Sequence, residues 1–545
     1  MRKQTKIAAV VSAAALLAIG ASMTSFAATG WMEEDGTWVY YNKQGEKVTE
    51  TWEKSGDNWF YLDDMGQMVT DALIEDDDNY YYVDANGAMV RNQWVAIDNE
   101  DAGEENEPDV WWYYFQANGK AYKNTHTGGS IFKKSINGKT YAFNDEGKMQ
   151  YGWVNREDGS TNYDDNAYAE CEYYFGDEND GAMSTGWREV ALTDVTDAND
   201  DQPGDSFWDE DQVRWFYFGS TGKKTTGKTG KTINGKKYGF DKDGRMIADW
   251  YVDVKEATPT TATMTDAKKK AYSSKFMYFS TPEDGARYTK GWFKVVPGYY
   301  LNAKDYDDAE DNWYYADGKG KIYAGEIKSI KGKKYAFDMD GAMISGLAVL
   351  KVKDGNEIVE YVDDDDYDTE EKFDALAYDM RNSSNKPAVY FFSDDEDHDG
   401  AMKTGNQKVK IDGDTFTFKF NKAGSDKGTG IMGESDSKYY LAGKLLTADS
   451  DNKIEIINVK EGSADYLKKV AVSDFVKAHG TKKVLEANKD KAKKGDIYYI
   501  LDRTEMDNYR VINTAGSVVK SGTKKDGDGF KVVLNKNKLQ YIYVD

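Results

Sequence analysis

Gly30-Trp31, Trp38-Val39-Tyr40-Tyr41 and Gly45 are followed by Thr51-Trp52, Trp59-Phe60-Tyr61-Leu62 and Gly66-Gln67-Met68, with both tryptophans, the tyrosine and the glycine at the same spacing. Trp31, Trp52, Leu73 and Trp94 stand 21 residues apart, as do Trp38, Trp59 and Tyr80, and Gly45, Gly66 and Gly87. Each unit holds a short aromatic strand, a glycine turn and a second short strand that runs into the next tryptophan. By composition and spacing this is a β-hairpin. One such hairpin cannot bury its own aromatic face, so copies must stack, each on its neighbours. The expected fold is therefore all-β, a solenoid of stacked short β-hairpin repeats.

The stacking accounts for an unusual composition. The chain has 545 residues, 14% aromatic, with 40 Tyr, 14 Trp and 22 Phe, yet a formal net charge of −25. Rings packed between repeats do the work that a large aliphatic core does elsewhere. The acidic balance argues against a nucleic-acid partner, because phosphate-backbone affinity comes from Lys and Arg displacing counterions. It argues equally against docking on anionic lipid.

A longer period overlies the first. Ile136-Asn137-Gly138-Lys139-Thr140-Tyr141-Ala142-Phe143 recurs at Ile233 to Phe240 and at Ile330 to Phe337, at steps of 97 residues. Met149, Met246 and Met343 keep the step, as do Trp153, Trp250 and Leu347. This indicates duplication of a block of about four hairpins. The methionines are expected to be packing residues. A weaker copy begins at Ile411-Asp412-Gly413.

The N-terminus reads as an export signal over residues 1–27. Arg2, Lys3 and Lys6 precede an apolar run from Ile7 to Ile19, and Ser25-Phe26-Ala27 supplies small residues at a cleavage site. No later segment suits a membrane span, and no sorting-type motif is seen at Tyr541 to Asp545, so a secreted protein held non-covalently is expected. Cys171 has no partner for a disulfide, and the only histidines are His126, His398 and His479. No zinc pattern, phosphate loop, nucleophile elbow or redox pair occurs, so no catalytic residue is assigned.

These units resemble the cell-wall-binding, or choline-binding, repeats of Gram-positive surface proteins, which are related to streptococcal glucan-binding and clostridial toxin repeats. The family pattern is Gly-Trp, then Gly-x-Trp-Tyr-Tyr-hydrophobic, then Gly-x-Met. It is met best at Gly30 to Trp52, Thr51 to Leu73, Gly186-Trp187 with Trp215-Phe216-Tyr217-Phe218, and Gly291-Trp292 with Trp313-Tyr314-Tyr315. The likeness runs over roughly residues 30–445. It implies ligand grooves between successive hairpins, walled by aromatic faces that suit a quaternary ammonium or the apolar face of a sugar. The implied walls are the Gly-Trp indoles Trp31, Trp52, Trp94, Trp153, Trp187, Trp250 and Trp292. With them stand the strand aromatics Trp38, Trp59, Trp112, Trp215 and Trp313, and Tyr40, Tyr61, Tyr114, Tyr174, Tyr217 and Tyr315. The implied partners are a cell-wall polymer, either choline-substituted teichoic acid or a glycan.

The three 97-spaced units depart from the pattern. Thr140, Lys237 and Lys334 replace the first strand aromatic, and Ala142, Gly239 and Ala336 replace the second tyrosine. These units are expected to be spacers without a groove. No tryptophan follows Trp313, so binding should concentrate in residues 28–325, with Trp-poor degenerate repeats over 326–449. Residues 450–545 differ in texture: a helix near Tyr466–Lys477 and strands at Ile497–Leu501 and Val532–Leu534 suggest a cap, degenerate repeats or a small separate domain.

Several later units carry acidic inserts between the Gly-Trp and the aromatic strand. Those at Trp94–Trp112, Trp187–Trp215 and Leu347–Tyr390 would form an acidic edge, while Lys268, Lys269 and Lys270 make the Trp250–Phe276 insert locally basic. Such an edge serves solubility. Clustered carboxylates also suit Ca²⁺, and Asp395, Asp397 and Asp399 before Gly400 match the start of a calcium loop with Asn406 where Glu is required, so calcium is the one cofactor candidate. An alternative reading is a structural or adhesive surface protein that displays these loops.

Overall fold

The computed structural model describes residues 29–126, 130–192, 212–252, 254, 264–353, 356–362, 364–381, 387–394 and 399–544. The expected export signal, the bulk of the Trp187–Trp215 insert, and Asp395 and Asp397 lie outside the described residues. The chain divides into two compact units. One comprises Met1–Asp200, Asp205–Asp249 and Phe279–Arg287, and the other Asp201–Gly204, Trp250–Tyr278 and Tyr288–Asp545.

The first unit is a run of antiparallel hairpins, beginning with Gly30–Glu34 against Thr37–Tyr41, Thr51–Ser55 against Asn58–Leu62, and Ala72–Asp76 against Asn79–Val83. Their register is constant: the Gly-Trp position faces the tyrosine two residues beyond Trp38, Trp59, Tyr80 or Trp112, as in Trp31↔Tyr40, Trp52↔Tyr61, Leu73↔Tyr82 and Trp94↔Tyr114. The two-residue turns need positive φ at both positions, met by Asp35-Gly36, Asn137-Gly138 and Asn234-Gly235. The second turn of each unit is organised by a side chain. The Oδ1 of Asp63 accepts the amides of Met65 and Gln67 at 2.9 and 2.7 Å, and Asn42, Asp84, Asn144 and Asp241 repeat the arrangement.

Two contacts recur between a hairpin and the one after it. A methionine makes them at several junctions, and Ala121, Lys224, Arg287 or Ile322 takes its position at others. The methionine amide of the next unit donates to the carbonyl of the first strand aromatic: Met68 to Trp38, Met89 to Trp59, and Met149 to Trp112, each at 2.8 Å. The methionine side chain then packs on a later turn glycine, with no room for a Cβ. At Gly222, where φ is +79°, a Cβ would lie 2.2 Å from Met183 Sδ. The methionines are packing residues in this sense. Gly222→Ala is expected to cost about 1–3 kcal/mol, from backbone strain plus displacement of Met183. Urea unfolding checks this, and a midpoint equal to wild type would refute it.

The second unit takes in most of the hairpin of Asp249–Val252 with Phe276–Phe279 and the hairpin Gly291–Val295 against Asn312–Ala316, and then changes character. Strands Glu326–Ile330, Lys333–Phe337, Gly346–Lys353, Glu357–Tyr361 and Ala388–Phe392 form one five-stranded sheet. A second joins Gly405–Ile411, Asp414–Phe420, Lys444–Leu445, Lys438–Leu441 and Gly433–Ser435. Where tryptophan is absent the core is conventional. The helix Glu370–Met380 buries Phe373, Ala377 and Met380 against Val349, Phe391, Phe418 and Leu441.

Residues beyond 450 form a three-stranded sheet and a further five-stranded sheet, with a core that includes Ile456, Phe475, Val511, Val532 and Ile542. The helix lies at Val472–His479 and starts later than Tyr466, because Lys469–Ala471 pairs with Glu455–Ile457 as strand. Among the described residues no helix is long and apolar enough to cross a membrane.

Candidate functional site

The constant register and the stacking together place three rings at each junction. Trp31 meets Tyr40 of its own hairpin at 5.4 Å and Phe60 of the next at 5.3 Å, both edge-on. Trp52 meets Tyr61 and Tyr81, each at 5.1 Å. Trp94 meets Tyr114 at 5.3 Å and Tyr141 at 4.8 Å. Trp187 meets Tyr217 at 5.2 Å and Tyr238 at 4.8 Å, and in the second unit Trp292 meets Tyr315 at 5.0 Å and Tyr335 at 4.9 Å. All five indoles are half-buried, so one side of each packs on the neighbouring hairpin while part of the ring meets solvent.

The tyrosine directly across the strand is the nearer wall of each groove. The first strand aromatic stands further off: Trp215 lies 6.2 Å from Trp187, and Trp313 lies 6.5 Å from Trp292. Trp38 is half-buried, and Trp59 is the most exposed of the described tryptophans at 38%.

Three of the predicted wall residues are interior. Trp112 is buried beside Ile136, Tyr141 and Met149. Trp153 keeps the expected contact with Tyr174 at 5.0 Å, but it is buried under Tyr168, Cys171, Val190 and Leu192. Tyr168 belongs to the short helix Ala167–Glu170, part of the chain inserted between the two strands. Lys224, also buried, places its ammonium 5.2 Å from the Trp153 ring centre. Trp250 is 2% exposed and packs with Phe276, Phe293, Leu301 and Tyr314, and its Nε1 donates to the Val296 carbonyl at 2.9 Å. Inserted segments thus close every second groove of the duplicated block. The repeat pattern marks a strand position and says nothing of what covers it.

The 97-spaced units are more than spacers. Tyr141, Tyr238 and Tyr335 are the neighbour rings packed edge-on against Trp94, Trp187 and Trp292, with Tyr141 and Tyr335 buried at the base of the groove and Tyr238 half-buried, and the buried Phe143, Phe240 and Phe337 lie 5.6–5.8 Å from the indoles. The Tyr-x-Phe signal at a strict 97-residue step was sufficient to find these six residues.

Burial pushes the Cys171 thiol up to about 11, which makes it inert at neutral pH. Among the described residues no three carboxylate, histidine or cysteine side chains converge on one point. Asp399 is held by Lys333 and Lys403, each at 2.8 Å, and these hydrogen bonds, Lys333 foremost, lower its pKa. Its oxygens are thereby engaged by ammonium groups.

Residues 48–94 match the choline-binding repeat family model. Residues of this chain are 25% identical over 235 positions to glucosyltransferase-S of Streptococcus mutans serotype c, covering 43% of this chain and 11% of that protein. The chain thus spans about a tenth of the length of that curated relative. Among solved structures, the choline-binding domain of CbpL from Streptococcus pneumoniae is 22% identical, with 41% of this chain and 88% of that one covered, at a TM-score of 0.25. The modular autolysin LytC from the same organism is 15% identical, covering 59% and 55%, at a TM-score of 0.30. Scores this low describe no common superposition of whole chains. Over residues 48–94 the chain is similar to the choline-binding repeat, as the Gly-Trp and Trp-Tyr-Tyr pattern implied there.

Proposed function

We propose that this chain is an exported, non-catalytic binding protein of the Gram-positive cell envelope. It recognises choline-like groups or glycan of a wall polymer through the aromatic grooves at Trp31, Trp52, Trp94, Trp187 and Trp292. The observation that carries this reading is the recurrence of one arrangement: a half-buried indole, its cross-strand aromatic and a ring of the next hairpin, about 5 Å apart. One such groove binds weakly, at roughly millimolar Kd, or about −4 kcal/mol. An array on a polymer gains about 10²–10⁴ through effective concentration.

Retention on purified wall and on immobilised choline, with elution by free choline or free sugar, tests the reading. The double variant Trp52→Ala, Trp187→Ala removes two of the five grooves. It is expected to lower the apparent wall affinity at least tenfold. Retention equal to wild type, with an unchanged circular dichroism spectrum, would remove the groove assignment. The calcium expectation has a separate test: calorimetric titration of the full chain with Ca²⁺, where absence of heat rejects it.

A further inference from the structure

The five grooves share their rings but differ in charge. In each, one residue lies directly across the strand from the neighbour ring. It is Glu53 opposite Phe60 in the Trp31 groove and Ile74 opposite Tyr81 in the Trp52 groove. In the other three it is lysine: Lys134 opposite Tyr141, Lys231 opposite Tyr238, and Lys328 opposite Tyr335. Two residues further along the same strand, the Trp52 groove has Asp76, which accepts from Trp52 Nε1 at 3.2 Å, while the lysine grooves have Ile136, Ile233 and Ile330. The duplicated block has therefore exchanged a carboxylate for an ammonium beside an otherwise constant aromatic frame.

The Trp94 groove shows this most cleanly. Lys134 Nζ lies 4.6 Å from the Phe132 ring centre and 5.6 Å from that of Tyr122. Tyr122 in turn stacks on Tyr114 at 5.7 Å and 11°, and Tyr114 is the wall beside Trp94. Among the described residues Lys134 forms no ion pair with a carboxylate. Asp180, the carboxylate that acts on Tyr141, is held by Lys139 at 3.0 Å. The other lysines carry some compensation. Lys231 lies 5.3 Å above Tyr217, with Glu189 exposed across from Trp215, and Lys328 pairs with Glu326 at 2.8 Å. At the Trp187 groove Thr225 takes the place of the second stacked tyrosine.

A quaternary ammonium entering the Trp94 groove would find Tyr122, the ring stacked on Tyr114, already facing Lys134, and so a like charge beside the wall. A sugar ring can stack its apolar face on the Tyr114–Tyr122 pair, whose rings are near-parallel at 11°, with the Trp94 ring edge-on to Tyr114 at its side. A carboxylate on that ring would find Lys134 beside the stack. We infer that the Trp94 groove, and with it the weaker copies at Trp187 and Trp292, takes a carboxylate-bearing sugar, and that choline-like cations are confined to the grooves at Trp31 and Trp52. This rests on the groove reading above and assigns a ligand class to each groove.

Calorimetric titration of the full chain with choline, glucuronic acid, glucose and glucose 6-phosphate tests it. The wild type is expected to bind choline at two grooves and glucuronate about tenfold more tightly than glucose. The triple variant Lys134→Gln, Lys231→Gln, Lys328→Gln should lose that tenfold preference and gain choline sites, while Lys→Arg at the same positions keeps both wild-type properties. Choline bound at all five wild-type grooves, or glucuronate bound no better than glucose, overturns the inference and leaves the groove reading standing. Binding of glucose 6-phosphate without glucuronate overturns the carboxylate assignment. Failure of the wild type to bind choline or any of the sugars overturns the groove reading itself.

Discussion

Asp241→Ala is expected to destabilise the first unit by about 3–5 kcal/mol, more than the same change at any other turn of the repeat. Its Oδ1 accepts the amides of Asp243 and Arg245 at 3.0 and 2.8 Å, which is the ordinary turn arrangement. Its Oδ2 does something further: it accepts from Arg245 Nε at 2.7 Å, and the Arg245 side chain is fully buried. Alanine would leave that guanidinium in a low-dielectric interior without its closest counter-charge. Asp63→Ala removes the same two amide acceptors in a turn with no buried arginine, and about 1 kcal/mol is expected there. Urea denaturation of both variants measures the difference. Equal losses would show that Arg245 does not depend on Asp241.

Lys224→Met is expected to change how stability depends on pH. Lys224 is 6% exposed; its Nζ donates to the Tyr168 carbonyl and sits over the Trp153 ring. Burial pushes its pKa down from 10.5 to about 8, against the attraction of Asp243 and Asp241. The folded state therefore releases this proton near pH 8 and the unfolded chain near pH 10.5. Between those values the unfolded state binds more protons, so wild-type stability rises with pH across that window relative to a variant without the amine. From pH 8 to 10.5 the gap should move by about 3 kcal/mol in favour of wild type. Below pH 8 the methionine variant should hold a constant advantage, since the charged amine is then buried only in the wild type. Unfolding curves at several pH values, taken as the difference between the two proteins, cancel the tyrosines that titrate in the same range. Parallel curves from pH 7 to 10.5 would refute the assignment.

Lys224 and the lysines at 134, 231 and 328 have a common physical logic. An indole or phenol face next to a groove attracts cations, whether they belong to a ligand or to the chain. At Trp153 the chain supplies its own and an inserted helix seals it in. At Trp94 the lysine stands at the rim and leaves the rings half-exposed.

The legible part of this protein was local. Trp31, Tyr40 and the 21-residue step predicted the hairpins, because strand partners lie within one repeat and the side-chain alternation sets their register. The resemblance implied the first aromatic of the Trp-Tyr-Tyr strand as the wall within a unit. The ring that faces the indole is instead the tyrosine two residues later, because cross-strand register and not pattern order sets the partner. The Tyr-x-Phe pairs of the 97-spaced units were visible too, yet their role was missed, because a missing box of their own hid the ring they lend to the preceding tryptophan. What covers each groove could not be read in this way. Trp153 and Trp187 stand at equivalent strand positions with equivalent partner tyrosines, and one is buried while the other is half-open. The difference arises from the Ala167–Glu170 helix and from Lys224, which is 71 residues beyond Trp153. Pairing between strands is a short-range consequence of alternation and turns, so the sequence determines it. Closure of a groove depends on side chains brought together over long separations, and only the tertiary structure decides that.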